Sequence, residues 1–426
     1  MMQRSPIDFY IAECIGADPD EMSAERLEEW QLAEIRRLLS YLGRSRFYRE
    51  RLAGIDPEEI RTAEDFRKLP VTSEKDLAGH ENDFLCMNPG DVARMVTVPT
   101  TGTTGGSKRL AFSMNDLAKS LDFIRVAYTT FMHEGDRMMV MMSGGTPGSI
   151  GDVVKNSMAK MGVETYIYGP ISDLEDAYGA VRDWKPDVIT GIPVQIAALA
   201  RYSEIHGPIS VREVLLSADD VPDSICRRLK DAWGARTFRH YGMTELCIAG
   251  GCECCADMGY HIRSCDHYFE VLDPDEEGYG EIAVTTFRHE AMPLLRYRTG
   301  DFGRIDRSVC GCGSRLPRLI GPRGRLSNSL VFGQKRLFIR DIEEVVFSDP
   351  AVVDFECELE AGESEVKALI TLRHLAGDLP DIQAVKRRIE DLIPVENTEI
   401  YITEEETAGF GKVYNSKKKL RVRRSR

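Results

Sequence analysis

Thr100-Thr101-Gly102-Thr103-Thr104-Gly105-Gly106-Ser107-Lys108 sets three glycines and four threonines in nine residues that end on a lysine. Glycines let backbone N–H groups close around an anion, hydroxyls add donors and the lysine adds a point charge, so the stretch reads as a phosphate grip. It is not a Walker A loop, which needs glycine where Ser107 stands and a hydroxyl where Arg109 stands. A mobile glycine- and threonine-rich surface loop would have the same composition, and the surrounding chain decides between the two.

Downstream, the short apolar runs Met138–Met142, Val188–Thr190 and Glu213–Ser217 alternate with helical stretches such as Val194–Tyr202. That alternation predicts α/β layering with mainly parallel strands. Upstream, Leu27, Trp30, Ile35, Leu38, Leu39 and Leu42 recur at helical spacing and predict an amphipathic helix from about Ser23 to Leu52. Short strands from about Gly280, namely Glu281–Thr286 and Gly303–Asp306, predict a β-rich subdomain. Beyond Arg325 the order is a helix near Ile339–Phe347, strands near Val352–Leu359 and Val366–Leu372, a helix near Asp381–Leu392 and a strand near Thr398–Thr403. The expected fold is α/β: a large multi-layer N-terminal domain, residues 1–325, carrying a β-rich subdomain over about 246–320. A small mobile α+β C-terminal domain, 326–426, follows a hinge near Gly324–Ser329.

A chain of 426 residues that is 42% apolar has material for two or three domains. A formal charge of −14 argues against a nucleic-acid surface. The basic end Lys417–Arg426 is a local exception and reads as a frayed, solvated terminus. There is no run of about 18 apolar residues, and the opening Met1–Asp8 lacks the apolar region of a signal peptide, so a cytoplasmic protein without a membrane partner is expected. Eleven cysteines in such a chain suggest thiols or metal ligands rather than disulfides. A homodimer is left open.

Further motifs follow the phosphate grip. Tyr241-Gly242-Met243-Thr244-Glu245 comes after a predicted strand, Ala235–Phe238: its glycine permits a turn, its hydroxyl can bind an anion and its carboxylate can hold Mg²⁺. Tyr297-Arg298-Thr299-Gly300-Asp301 ends on an acid suited to two ribose hydroxyls. Gly324-Arg325 precedes the C-terminal domain, and Gly411-Lys412 lies near its end. Each alone reads as a turn. In this order and spacing they resemble the adenylate-forming superfamily, and Ser45-Arg46-Phe47-Tyr48-Arg49-Glu50-Arg51-Leu52 points to its phenylacetate–coenzyme A ligase branch; the resemblance spans essentially the whole chain.

The resemblance implies roles residue by residue. Thr100, Thr101, Gly102, Thr103, Thr104, Gly105 and Lys108 would embrace the ATP β- and γ-phosphates, and Ala218 and Asp219 would run along the adenine. Tyr241 would stack on adenine, with Gly242 and Met243 in the same turn. Thr244 would bind the α-phosphate and Glu245 would hold Mg²⁺. Asp301 would take the ribose hydroxyls with Arg325 near them, and Lys412 would reach the α-phosphate and the acyl carboxylate from the mobile domain. The chain departs from the family at Ser327-Asn328 and Gly333-Gln334-Lys335-Arg336, where an acidic pair and an Arg-Gly-Val-Asn-like turn are usual. Lys417–Lys419 compete with Lys412 for its register.

Cys252, Cys254, Cys255, His261 and Cys265 follow the Glu245 motif, with Cys310-Gly311-Cys312-Gly313 beyond. Three thiolates and one imidazole make a closed tetrahedral set suited to structural zinc. Buried reduced thiols or an iron–sulfur site are the alternatives, with Cys252, Cys255 and Cys265 as substitute ligands. The resemblance selects Cys254, His261, Cys310 and Cys312, since many members of the branch carry Cys-x6-His followed by Cys-x-Cys-Gly.

The expected activity is therefore an ATP- and Mg²⁺-dependent ligase that activates a small carboxylic acid, by resemblance aryl or arylacetic, as an acyl-adenylate and transfers the acyl group to coenzyme A. Met141, Met142, Ser143, Gly144 and Gly145, with Ser217–Asp219 and Tyr241, are the candidate acyl pocket. The rival readings are transfer of AMP to a deazaflavin hydroxyl, as in another type of enzyme in this branch, and a non-catalytic, zinc-stabilised nucleotide-binding homologue.

Overall fold

Met138, Met139, Val140 and Met141 are fully buried, as a strand covered on both faces requires. They lie in a parallel sheet ordered Glu164–Ile167, Arg137–Met141, Val188–Gly191, Glu213–Leu216 and Arg236–Tyr241. Helices Ile150–Ala159, Leu174–Trp184, Pro193–His206 and Asp223–Trp233 alternate with these strands along the chain. The expected α/β layering is present. Met141 and Met142, proposed for the acyl pocket, are buried, whereas Ser143 and Gly145, just past the strand's carboxyl end, are exposed.

The computed structural model describes residues 4–99, 107–332, 335–361, 365–393, 397–407 and 420–424. The chain divides into two units, Met1–Thr130 with His240–Pro322 and Phe131–Arg239 with Arg323–Arg426. The first holds the hairpin Arg94–Pro99/Ser107–Phe112 and an antiparallel sheet ordered Tyr268–Leu272, Gly280–Thr285, Tyr297–Asp306, Arg318–Ile320, Tyr260–Ile262 and Gly251–Glu253. Its apolar core includes Leu42, Phe66, Phe84, Leu246, Ile282 and Leu295.

The second unit combines the parallel sheet with the C-terminal α+β segment, whose four strands run in the order Asn397–Glu406, Glu365–His374, Val352–Ala361 and Leu420–Arg424. The two parts share a core that includes Ile189, Leu199, Leu229, Val352, Phe355 and Leu372. Arg228, on the helix Asp223–Trp233, donates to the carbonyls of Phe347 (3.0 Å), Asp349 (2.7 Å) and Val352 (2.9 Å). Arg201 makes a bidentate pair with Asp378 at 2.7 and 2.6 Å. The C-terminal segment expected to start at 326 thus packs with 131–239 in one unit.

Two sequence expectations need correction. The helix expected from Ser23 to Leu52 is two, Ala24–Leu42 and Arg46–Arg51, because Ser45 caps the second by accepting from the Tyr48 amide at 3.2 Å. The basic end is not wholly a frayed terminus: Leu420–Arg424 is an edge strand parallel to Val352–Ala361.

In the first unit the buried His267 and His289 meet at Nε2···Nε2 3.3 Å, with Arg263, Asp266, Asp116 and Lys119 the charged groups acting on them. Burial pushes both imidazoles down, His289 to about 4. The unfolded chain takes up the His289 proton near 6.5 and the folded chain only near 4, so the stability that His289 supplies is complete above about 6.5 and is lost as pH falls from there to about 4. His289 alone accounts for a loss on the order of 3 kcal/mol. Thermal unfolding followed over that window should show a shallower pH slope for His289→Gln than for the wild type; an unchanged slope refutes the assignment.

Candidate functional site

Strand Arg236–Tyr241 ends in the turn that carries Thr244 and Glu245. Gly242 makes the turn feasible, since a Cβ there would stand 1.8 Å from the Ile248 carbonyl oxygen and 2.6 Å from His240 Cε1. The turn is closed by Leu246 N and Ile248 N donating to Met243 O, both at 3.1 Å, and by Gly250 N donating to Tyr241 O at 3.0 Å. Cys247 (φ 53°) and Ile248 (φ 80°) are left-handed, which costs energy in a non-glycine residue and is common where a side chain is held for function.

Glu245 is 4% exposed, and its Oε1 lies 2.5 Å from Lys108 Nζ. The same ammonium donates to Glu74 Oε1 at 2.9 Å and to the Tyr297 hydroxyl at 3.1 Å, and that hydroxyl donates to Glu245 Oε1 at 3.0 Å. The lysine expected on phosphate thus holds two carboxylates. Neither Glu74 nor Tyr297 had been assigned a role. Glu74 sits inside the Ser73/Asp76 capping box, which from sequence signals only a helix start.

Asp301, the last residue of the Arg-Thr-Gly-Asp motif, accepts from the Tyr241 hydroxyl at 2.9 Å. The motif is not a turn between elements but part of the strand Tyr297–Asp306, irregular at Gly300 (φ 77°). Thr299 Oγ1 donates to Ile282 O at 2.7 Å and accepts from Asp301 N at 3.0 Å, while Glu281 takes Arg298 Nε at 2.9 Å and Gly300 N at 3.2 Å. These bonds aim Asp301 at Tyr241.

Tyr48, within the Ser45–Leu52 signature, braces the same strand. Its hydroxyl accepts from Leu295 N at 2.9 Å and lies 3.0 Å from Thr72 Oγ1, and Thr72 in turn exchanges backbone bonds with Arg296 O and Arg298 N. Burial pushes the Tyr48 phenol up, keeping it a neutral donor and acceptor.

The first unit therefore brings together Lys108, Glu245, Tyr241 and Asp301. Ala218, Asp219 and Arg325 belong to the second unit. Ala218 is left-handed (φ 74°) and exposed, just after the strand Glu213–Leu216, and Arg325 is half-buried at the start of the turn Leu326–Asn328. Thr100, Thr101, Gly102, Thr103, Thr104, Gly105 and Lys412 lie outside the described residues; the hairpin register reaches Pro99 opposite Ser107.

Cys254, His261, Cys310 and Cys312 are all buried, and their ligating atoms lie within 4.8 Å of one another. Cys254 Sγ and Cys310 Sγ are 3.7 Å apart, as are Cys312 Sγ and His261 Nε2. Tetrahedral zinc with its usual bond lengths demands about 3.8 Å between sulfurs and about 3.6 Å between sulfur and nitrogen. The four residues fit that ion. Hydrogen bonding from Cys254 and His261 pulls the Cys312 thiol down to about 3, toward the thiolate form a metal needs. Cys252, Cys255 and Cys265, the substitutes left open by the sequence, are outside this group.

Residues 50–284 match the family described as AMP-binding enzyme. The phenylacetate-coenzyme A ligase of Thermus thermophilus is 28% identical over 357 residues, 78% of either chain; that of Pseudomonas putida is 26% identical over 352 residues, 77% of either chain. A solved 2-hydroxyisobutyryl-CoA ligase in the postadenylation state, in complex with 2-HIB-AMP, superposes with a TM-score of 0.77 at 15% identity, over 95% of this chain and 91% of that one. An anthranilate CoA ligase in complex with anthranoyl-AMP gives 0.52 at 16% identity, over 74% and 64%. The two solved structures share the α/β architecture.

Proposed function

The chain belongs to the AMP-binding enzyme family, and from that membership we propose that it is an ATP- and Mg²⁺-dependent, AMP-forming acid–thiol ligase with coenzyme A as acceptor. Its relatives named as phenylacetate-coenzyme A ligases favour an aryl or arylacetic acid. The observation that carries the reading is the convergence of Glu245, Glu74 and the Tyr297 hydroxyl on the buried Lys108 ammonium. A scaffold without chemistry has no need to gather two carboxylates around one buried ammonium, whereas a nucleotide site needs a carboxylate held rigidly.

In the first step a substrate carboxylate oxygen bonds the α-phosphorus as the bond to pyrophosphate breaks. In the second a thiolate bonds the acyl carbon and AMP leaves with the electron pair. Mg²⁺, when bound, offsets negative charge on the triphosphate. Glu245 would hold it, fixed in position by Lys108 and Tyr297. Asp301, aimed by Thr299 and Tyr241, would accept the ribose hydroxyls with Arg325 beside them. Tyr241 would stack on the adenine along Ala218 and Asp219, with Gly242 and Met243 shaping the turn, and Thr244 would donate to the α-phosphate. Thr100–Gly105 would close on the β- and γ-phosphates. Residues 326–426 would act as the lid that delivers Lys412, turning near Gly324–Ser329 between the half-reactions; release of the Arg228 and Arg201 bonds would accompany that turn. Cys254, His261, Cys310 and Cys312 would hold a structural zinc with no open position, which contributes folding energy.

Pyrophosphate release with ATP and Mg²⁺ across aryl, arylacetic and short aliphatic acids, each with and without coenzyme A, tests the reading, with Lys412→Ala as control. We expect one acid to drive release that depends on Lys412 and becomes sustained thioester formation when coenzyme A is added. Release that ends after one turnover despite coenzyme A overturns the acceptor. Silence across the panel, together with AMP transfer to a deazaflavin hydroxyl, overturns the ligase reading.

A further inference from the structure

We propose that Asp8 is the outer carboxylate of the Cys254–His261–Cys310–Cys312 centre, orienting His261 and coupling metal binding to docking of the N-terminal helix. The inference rests on the zinc reading above and adds to it a residue far away in sequence.

Asp8 is completely buried, and its Oδ1 lies 3.4 Å from His261 Nδ1, while His261 Nε2 faces Cys312 Sγ at 3.7 Å. The two ring nitrogens thus look in opposite directions, one toward a carboxylate and one toward the thiols. A neutral imidazole can carry its proton on either nitrogen. A carboxylate at Nδ1 selects the tautomer protonated there, which leaves the Nε2 lone pair for the metal and raises its basicity.

The same Asp8 oxygen accepts from Ser314 Oγ at 2.9 Å. Ser314 closes the turn that bears the other two cysteines: Cys310 N donates to Ser314 O, and Gly313 N donates to Cys310 O, both at 2.8 Å. One oxygen atom therefore touches the strand of His261 and braces the loop of Cys310 and Cys312. Its fellow oxygen accepts from Arg4 Nε at 3.0 Å.

Asp8 is fixed by the helix Pro6–Ile15, which starts on Ser5 as cap and Pro6 as first residue and buries Ile7, Ile11 and Ala12. A helix of ten residues is marginal by itself in water. Its order depends on docking, and Asp8 is its polar anchor in the metal centre. The metal and the helix then stabilise one another reciprocally, because a ligand that favours the docked form gains whatever docking supplies.

A simpler role is open to Asp8, as counter-ion to Arg4 alone. The two roles separate on metal affinity. In the full-length chain, zinc content is measured by mass spectrometry and affinity by competition with a chromophoric chelator, for wild type, Asp8→Ala, Asp8→Asn and Arg4→Met. Loss of an outer carboxylate of this kind weakens metal binding about 10- to 100-fold. We expect that loss in Asp8→Ala, a smaller one in Asp8→Asn, and wild-type affinity in Arg4→Met.

Equal affinity in Asp8→Ala and wild type, or equal losses in Asp8→Ala and Arg4→Met, overturns the proposal while leaving the zinc centre standing. A wild-type chain that takes up no stoichiometric zinc overturns both, and the two failures are distinct because the second appears without any substitution. If Asp8→Ala does not fold, hydrogen exchange of the wild type decides. Chelation should speed exchange of the amides in Pro6–Ile15, and protection there that is indifferent to zinc overturns the coupling.

Discussion

Lys108→Met is expected to destabilise the protein by about 3–5 kcal/mol, the range for breaking a buried ion pair by removing one partner. The cost arises in what is left behind. Glu245 is 4% exposed and shares the ammonium with Glu74; without it two carboxylates remain close together, with the Tyr297 hydroxyl still donating to Glu245. If Glu245 holds Mg²⁺ as proposed, acid-dependent pyrophosphate release should also fall by about 10²- to 10³-fold, the scale on which a preorganised electrostatic group matters. Glu74→Gln is the informative companion, because it keeps the Lys108–Glu245 pair and removes only the more exposed carboxylate. Denaturant unfolding and pyrophosphate assays on Lys108→Met, Glu245→Gln and the double variant give the coupling between the pair. A Lys108→Met protein as stable as wild type would mean that the ammonium does not serve Glu245.

Gly242→Ala should be the most damaging glycine substitution within the nucleotide motifs. The added Cβ would fall 1.8 Å from the Ile248 carbonyl oxygen, and that backbone is pinned by the bonds of Ile248 N to Met243 O and Gly250 N to Tyr241 O. Cys247 and Ile248 are already left-handed, so the turn has little conformational freedom to yield. Overpacking commonly costs about 1–3 kcal/mol; with backbone as the obstacle we expect about 3 kcal/mol or more, and displacement of Glu245 with it. Gly300→Ala is the contrast. Its φ is 77° but nothing lies within 4 Å of the new Cβ, so only the left-handed penalty of about 1–2 kcal/mol applies. Midpoints of denaturant unfolding rank the two, and equal losses would show that crowding at Ile248 is not the cause.

The elements carrying the proposed nucleotide site were largely legible because their signals are local. Apolar runs bounded by Gly or Ser became the parallel strands, and Gly242 stood where the chain had to turn. The motif Arg298–Asp301 was legible as chemistry but not as structure: Thr299 and Glu281 hold it inside a strand, and nothing in its own residues says that Glu281 is there. Glu74 was invisible because a capping box accounts for its neighbourhood. Asp8 was equally hidden, an acid in the first turn of a helix where acids are ordinary.

By itself the sequence determined the α/β class and the family, and through the family resemblance it named the four residues proposed to hold zinc, because periodicity, turn glycines and motif order are properties of the chain. Tertiary structure alone decided the partners of the charged groups. It turned Lys108 to Glu74 and Glu245, joined Tyr241 to Asp301 and set Asp8 beside His261. A buried charge must be met by a partner at a few ångströms, since the interior offers little water to solvate it. Which residue arrives at that distance follows from how strands and helices distant in sequence pack.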